Sequence, residues 1–396
     1  MMNVNFEKDK NLLLSKINQK EVISLTKELI KIPSVTGNEK QICDFLYSYL
    51  KKNGFVVSKE YVEDNRPNII ARFKKGTNKK RILLNGHLDT VPLGDGWTKN
   101  PYDATEDDDY IYGRGSADMK GGLAAQICAM RAFMESGIPF NGEIIFSGVV
   151  GEEVAQSGTI SLVNNNILAD CAIVSEPTNL LVVSTCKGDM DIRIQITGKA
   201  AHASVPEKGL NAIYLASKIV LELEKYANNL KKIHKYPLLG TPTLVVGTIK
   251  GGEVPCMVAG NCELRVDRRL LPNENNDEVI NEIKRIVDNI SKKYPKFLID
   301  TELLYAVKAM ECDSKSSLVM CLQKNVNELY GGDSSIHGWP AVCDGSILSS
   351  AGIETVVFGP GTIEVAHQPD EKIEKYQIVL ASKIIAATMF DLFNLA

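Results

Sequence analysis

An α/β fold is predicted, with a mainly parallel sheet interrupted by an inserted α+β domain, and three observations in the sequence predict it. Short apolar runs alternate with helical patterns as far as Val183, the rhythm of strands buried on both faces beneath covering helices. At Gly188 the rhythm changes, and two segments alternate apolar and polar residues strictly, as half-buried antiparallel strands do. From about Ala309 the βα rhythm returns. The expected division is residues 1–187 and 308–396 for one discontinuous domain and 188–307 for the insertion, which suits a chain of 396 residues with ample core.

Taken in order, residues 22–30 and 42–50 repeat apolar side chains at helical spacing, the second starting near Gly37-Asn38 and stopping at Gly54. Lys74-Lys75-Gly76-Thr77-Asn78-Lys79-Lys80 reads as a solvated hairpin tip. Arg81-Ile82-Leu83-Leu84 reads as a buried strand, and Asn85-Gly86-His87-Leu88-Asp89-Thr90 emerges from its C-terminal end, where α/β sheets gather their chemistry. His87 and Asp89 are two apart and share one face. Alone, such a pair is more often a hydrogen-bonded structural histidine; as chemistry it suits a metal ligand whose ring is held by a nearby acid.

Tyr112-Gly113-Arg114-Gly115-Ser116-Ala117-Asp118-Met119-Lys120-Gly121-Gly122 then opens into Leu123, Ile127 and Met130 at helical spacing. A dinucleotide fingerprint would need a third glycine where Asp118 stands, and an acid there would repel a pyrophosphate. Asp118 fits better as a metal carboxylate at a helix start, where the dipole favours the anion. The apolar strand from Glu143 to Val150 ends in Gly151-Glu152-Glu153. Adjacent acids usually mark a solvated turn, but these end a buried strand, where neighbouring side chains diverge; one can hold metal while the other carries a proton. The pattern repeats where Cys171-Ala172-Ile173-Val174-Ser175 leads into Glu176-Pro177-Thr178. It recurs where Thr355-Val356-Val357-Phe358 and a Gly-Pro-Gly turn lead to Ala366-His367-Gln368-Pro369-Asp370-Glu371. Since four donors precede the insertion and His367 follows it, both flanking segments should build one domain. Within the insertion, residues 189–196 and 262–267 are the alternating strands, and 211–227 and 278–290 are helical, giving about four strands and two helices.

A net charge of −4, without a basic stripe interleaved with aromatics, argues against a nucleic-acid surface. The opening MMNVNFEKDKNLLL is charged, so no secretory signal is expected, and no apolar stretch of 18 residues is read as spanning a membrane. Nine singly scattered cysteines, with Cys43, Cys128, Cys171 and Cys321 inside apolar patterns, suit buried thiols in a reducing compartment. A cytoplasmic location is expected.

GHLDTVP, GDGWTKNPYDA, YGRGSADMKGG, GEE, SEPT, GKAAHASVP and AHQPDE occur in that order over nearly the whole chain, and together they resemble the M20 metallopeptidase and amidohydrolase family. Its members include acetylornithine deacetylase, succinyl-diaminopimelate desuccinylase, aminoacylase-1 and glutamate carboxypeptidase. The resemblance implies a site for two divalent metal ions, normally zinc and sometimes cobalt or manganese. One ion would be held by His87 and Glu176, the other by Glu153 and His367, with Asp118 bridging; donors without thiolate suit these metals, and three ligands per ion leave an open position. The resemblance further implies Glu152 as general base, Asp89 as the acid orienting His87, and a cis Asp118–Met119 peptide bond. His202 would stabilise the oxyanion, often from a neighbouring subunit, and Arg269 would grip a substrate carboxylate. Arg268 is then expected to face away as a surface charge. Asp344-Gly345-Ser346 resembles a substrate-facing loop, which makes Gly345 a substrate-binding candidate, while His234 and His337 receive no role. The chain departs from the family at Cys256 and Ala259, where Asn and Pro are usual; a thiol cannot reproduce an amide's donor and acceptor.

The expected activity is hydrolysis of the amide bond of an N-acyl amino acid, as in acetylornithine deacetylase or succinyl-diaminopimelate desuccinylase, because GDGW and SEPT resemble those enzymes most. A dipeptidase or carboxypeptidase is the alternative within the family. A metal-binding homologue without catalysis is the alternative outside enzymes, and Glu152 beside all five ligands argues against it. The expected partners are the small-molecule substrate and a second copy of the chain through the inserted lid domain, with no nucleic acid and no membrane.

Overall fold

The computed structural model describes residues 4–77, 80–167, 169–233 and 235–395. The chain divides into two compact units: one gathers the residues up to Ser184 with Glu311–His337 and those from Cys343 onward, the other Thr185–Met310 with Gly338–Val342. The strands that carry the argument are β1 (Val56–Glu63), β2 (Arg66–Lys75), β3 (Lys80–His87), β4 (Gly142–Val149), β5 (Cys171–Val174), β6 (Gly188–Thr197), β7 (Thr243–Gly251), β8 (Asn261–Leu270), β9 (Leu298–Val307) and β10 (Glu354–Val357).

In the first unit β4, β3, β5 and β10 run parallel side by side, and β1 and β2 continue the sheet beyond β4 as an antiparallel pair. Every residue of β4 and of β5 is buried, which is why both read as unbroken apolar runs. The helix Gly121–Ser136, built mostly of small and apolar residues, is buried on all sides as far as Phe133 and packs against Lys375–Phe393 inside the main apolar cluster. Lys375–Phe393 is itself long and apolar enough to cross a membrane by length and composition, contrary to the sequence reading; its side chains from Ile378 to Leu392 are mostly buried in this cluster. The expected helices at 22–30 and 42–50 run from Gln19 to Ile30 and from Lys40 to Lys52. Cys43, Cys128, Cys171 and Cys321 are buried free thiols.

One local expectation is overturned. The segment 74–80 is no hairpin tip, because β2 and β3 are not neighbours: β4 lies between them and pairs with both. Asn78 and Lys79 lie outside the described residues, but Thr77 N donates to Asn141 Oδ1 at 2.8 Å, so the connection passes the start of β4.

In the second unit β7, β8, β6 and β9 form an antiparallel sheet in that order. Helices Ala212–Ile233 and Asn276–Ser291 share its apolar cluster. The strict alternation has its counterpart in burial: Met190, Ile192, Ile194 and Ile196 of β6 all face the core. The same period places Cys262, Leu264, Val266, Arg268 and Leu270 of β8 inside. Arg268 is therefore not a surface charge; it is fully buried and pairs with Glu274 and the carbonyl of Arg269.

Candidate metal and catalytic site

Parallel strand ends bring the donors together. His87 closes β3, Glu152 and Glu153 open the short helix Glu152–Ala155 just after β4, and Glu176 follows β5. Asp118 sits in the turn Ser116–Lys120 before the helix Gly121–Ser136, and its peptide bond to Met119 is cis. His367 lies in the loop after β10 with φ of +62°, a conformation uncommon for a side-chain-bearing residue. Two glycines permit the close approach. A Cβ at Gly86 would stand 2.6 Å from Met119 Cε, and one at Gly122 would stand 2.2 Å from the carbonyl oxygen of Ser175. Gln126 then spans the strand ends, its Nε2 donating to Asn85 O at 2.9 Å and Ser175 Oγ at 2.7 Å.

The resulting geometry divides Asp118 between two histidines. Its Oδ1 is 3.0 Å from His87 Nε2, and its Oδ2 is 3.3 Å from His367 Nε2. Glu176 Oε2 lies 3.8 Å from the same His87 nitrogen, and Glu153 Oε2 lies 3.1 Å from the same His367 nitrogen. Two donor sets of one histidine and one glutamate are thus joined by one aspartate; His87, Asp118 and Glu153 alone already offer atoms within 4.8 Å of one another. Glu153 Oε1 and Glu176 Oε1 are buried without a hydrogen-bond partner among the described residues. Buried acid oxygens left open in this way fit divalent cations bound by nitrogen and oxygen donors.

Electrostatics point the same way. Burial opposes charge on His87, but Asp118 and Glu176 outweigh it and hold the imidazole well above its ordinary pKa. Hydrogen bonds to Asp118 and Glu153 lift His367 to about 10. Burial raises Glu152 and Glu176 well above the usual carboxylate range, while the two histidines outweigh burial at Asp118 and hold it below that range. A cluster of acids at one set of strand ends, two of them raised by burial, is an environment that favours bound cations.

Asp89 serves this cluster differently from the expectation. His87 Nδ1 meets the backbone carbonyl of Asp89 at 2.9 Å, whereas the Asp89 carboxylate is 3.8 Å away. That carboxylate instead accepts the main-chain N–H of Glu152 at 3.1 Å and of Glu153 at 3.3 Å, and the hydroxyl of Thr36 at 2.8 Å. Gly345 lies buried in the helix Asp344–Ser350 beside Asp344, whose burial pushes its carboxyl up to about 7. Sequence reasoning gave Asp344 no role, although it adds to the negative charge that Glu152 feels.

His202 and Arg269 belong to the second unit. His202 is exposed on the short strand Ala201–His202 and shares its Nδ1 with Ser204. Arg269 is held by Asp267 at 2.8 Å, with Asp189 at 3.6 Å. Cys256 is exposed and Ala259 buried, both in that unit. His337 is held by Asp333, and His234 lies outside the described residues.

A parallel α/β sheet whose strand ends carry two His–Glu pairs around one shared aspartate defines a centre suited to metal-assisted hydrolysis. Residues 83–391 match the model of peptidase family M20/M25/M40, and the chain belongs to that family of hydrolases. It is 32% identical over 372 residues to an acetylornithine deacetylase of Pectobacterium carotovorum, covering 91% of this chain and 94% of the relative. It is 29% identical over 408 residues to an N-formyl-4-amino-5-aminomethyl-2-methylpyrimidine deformylase of Halalkalibacterium halodurans, covering 94% and 95%. Its fold is similar to that of a tripeptidase from Staphylococcus aureus, with TM-score 0.79 at 23% identity over 95% of this chain and 99% of that one.

Proposed function

We propose that this hydrolase cleaves the amide bond of an N-acyl amino acid, releasing a small carboxylate and a free amine. The observation that carries the proposal is the split of Asp118 between His87 and His367, with the half-buried Glu152 close enough to feel the charges of His87, Asp344 and Asp118. Two relatives named for removing acetyl and formyl groups support a small acyl group as the part removed.

His87 and Glu176 would hold one ion, Glu153 and His367 the other, and Asp118 both; zinc is favoured, with cobalt or manganese as alternatives. Bound ions supply Lewis acidity to the scissile carbonyl and acidify a water. Glu152, which is not among the proposed ligands, would take the proton from the attacking water and return it to the leaving nitrogen. Asp89 steadies this step by holding the main-chain N–H of Glu152. His202 would donate to the oxyanion, Arg269 would release Asp267 to pair with the substrate carboxylate, and Gly345 would border the substrate. A second copy of the chain is the proposed macromolecular partner, docked through the second unit.

The test is a turnover screen of N-acetyl, N-succinyl and N-formyl amino acids beside simple dipeptides, with zinc, cobalt or manganese. Turnover confined to acylated substrates, abolished by a chelator and recovered on adding metal, is expected. Cleavage of unacylated dipeptides alone would overturn the deacylase reading, and full turnover without metal would overturn the site.

A further inference from the structure

Glu371, four positions after His367, is almost wholly buried, and its carboxylate is saturated by a single loop. Oε1 accepts the main-chain N–H of Ala117 at 2.9 Å and of Asp118 at 3.1 Å. Oε2 accepts Arg114 Nη1 at 2.7 Å and the N–H of Gly115 at 3.1 Å. Arg114 is equally buried, and its Nη2 donates to Leu93 O at 3.0 Å, in the segment that follows Asp89. The preceding residue, Asp370, fastens the other flank by accepting Thr98 N at 2.9 Å and Lys99 N at 3.1 Å.

We infer that Glu371 is a positioning residue for the metal centre: its charge ties the loop that carries Asp118 to the loop that carries His367, and so sets the spacing between two donors of one cation. This rests on the ligand set proposed above. The argument is one of direct attachment. The backbone N–H held by Glu371 belongs to Asp118 itself, the residue whose two oxygens face the two histidines. His367 is carried by Glu371's own loop, in a left-handed conformation that needs its surroundings to maintain it. A Gln at this position would turn an N–H₂ toward backbone N–H donors and leave the buried Arg114 charge without its counter-ion. Both loops would then be free to separate. The cation that needs both Asp118 and His367 suffers more than the one that needs only Asp118.

The experiment is equilibrium dialysis of the whole protein against buffered Zn²⁺, counting bound metal, with far-UV circular dichroism to confirm folding. Wild type should take up two ions. Glu371→Gln should keep its fold and bind one ion nearly as before, while the second is weakened about 10- to 100-fold, the usual cost of losing a group that orients a metal ligand. Glu371→Asp keeps the charge opposite Arg114 but is one methylene short of the four donors, and should weaken the second ion less. Two ions bound with wild-type affinity by Glu371→Gln would overturn the inference, as would the same result for Glu371→Asp if the Gln variant does not fold. Wild type that takes up fewer than two ions would instead overturn the ligand set on which the inference stands.

Discussion

Glu152 and Glu153 are adjacent in the chain, and the turn that begins at Gly151 gives them different neighbours. Glu153 reaches His367, whereas Glu152 is raised by burial and by the charges of Asp344, Glu153 and Asp118. If Glu152 is the base, Glu152→Gln should retain two metal ions and the fold while turnover falls about 10²- to 10⁴-fold, the range for lost proton transfer. Glu153→Gln should lose metal, because a neutral amide is a poorer ligand. Metal content and kcat measured on the same samples decide the matter: loss of metal from Glu152→Gln with both ions kept by Glu153→Gln reverses the two assignments. That the five proposed ligands come together was legible in the sequence, because each stands at or just beyond the end of an apolar run or at a helix start, where position alone suggests a common site. Glu371 and the bonds of the Asp89 carboxylate were not, since most of their partners are main-chain N–H groups far along the chain. Side chain to backbone bonds leave no spacing to read. Arg268 was misread for another reason: with Arg269 assigned to the substrate, Arg268 fell on the opposite face of the strand, and that face, taken for solvent, is the one that carries Cys262, Leu264 and Val266 into the core.

Elements meet at this site through backbone, and Gly122 is the clearest case. It stands in the first turn of the helix Gly121–Ser136, where glycine costs about 1 kcal/mol against alanine by propensity. An exposed site would therefore gain from Gly→Ala. Here the added Cβ would sit 2.2 Å from Ser175 O and 2.9 Å from Ser175 Cβ, so helix and β5 end must part. Overpacking of this kind costs about 1–3 kcal/mol, which outweighs the propensity gain. Gly122→Ala should accordingly lower the free energy of urea unfolding, and it should weaken metal binding because Glu176 is the next residue after Ser175. An alanine variant as stable as wild type would show that the two elements slide apart freely. Apolar runs revealed these strands but not their neighbours, which is why the crossing between β2 and β3 passed for a hairpin. β6 and β8 were easier to read, because an antiparallel sheet covered on one face writes its alternation directly into the strand, whereas no such signal placed Gly338–Val342 with the second unit.

At the scale of the molecule, the proposed docking of a second copy can be tested on an exposed apolar edge of the second unit. β7 ends the sheet order, Val245 and Ile249 on it are exposed, and so are Tyr214 and Leu221 on the helix Ala212–Ile233 that packs beside it. A long edge strand with exposed apolar side chains invites pairing unless something covers it. Light scattering should therefore report a dimer, and Val245→Asp with Ile249→Asp should shift it toward monomer. Such a dimer bears on catalysis if His202 serves the metal centre of its partner. His202→Ala should then lower kcat about 10²- to 10³-fold, as loss of one oxyanion donor does, without loss of metal. Co-expression separates service within a chain from service across chains. In a hybrid of Glu152→Gln and His202→Ala subunits, a histidine acting across the interface restores one complete site, the one that keeps Glu152 and receives the partner's intact His202. A histidine acting within its own chain leaves both sites crippled. Partial recovery of turnover in purified hybrids is expected; activity no higher than that of the two parent variants would place His202 in its own chain's site or outside the reaction.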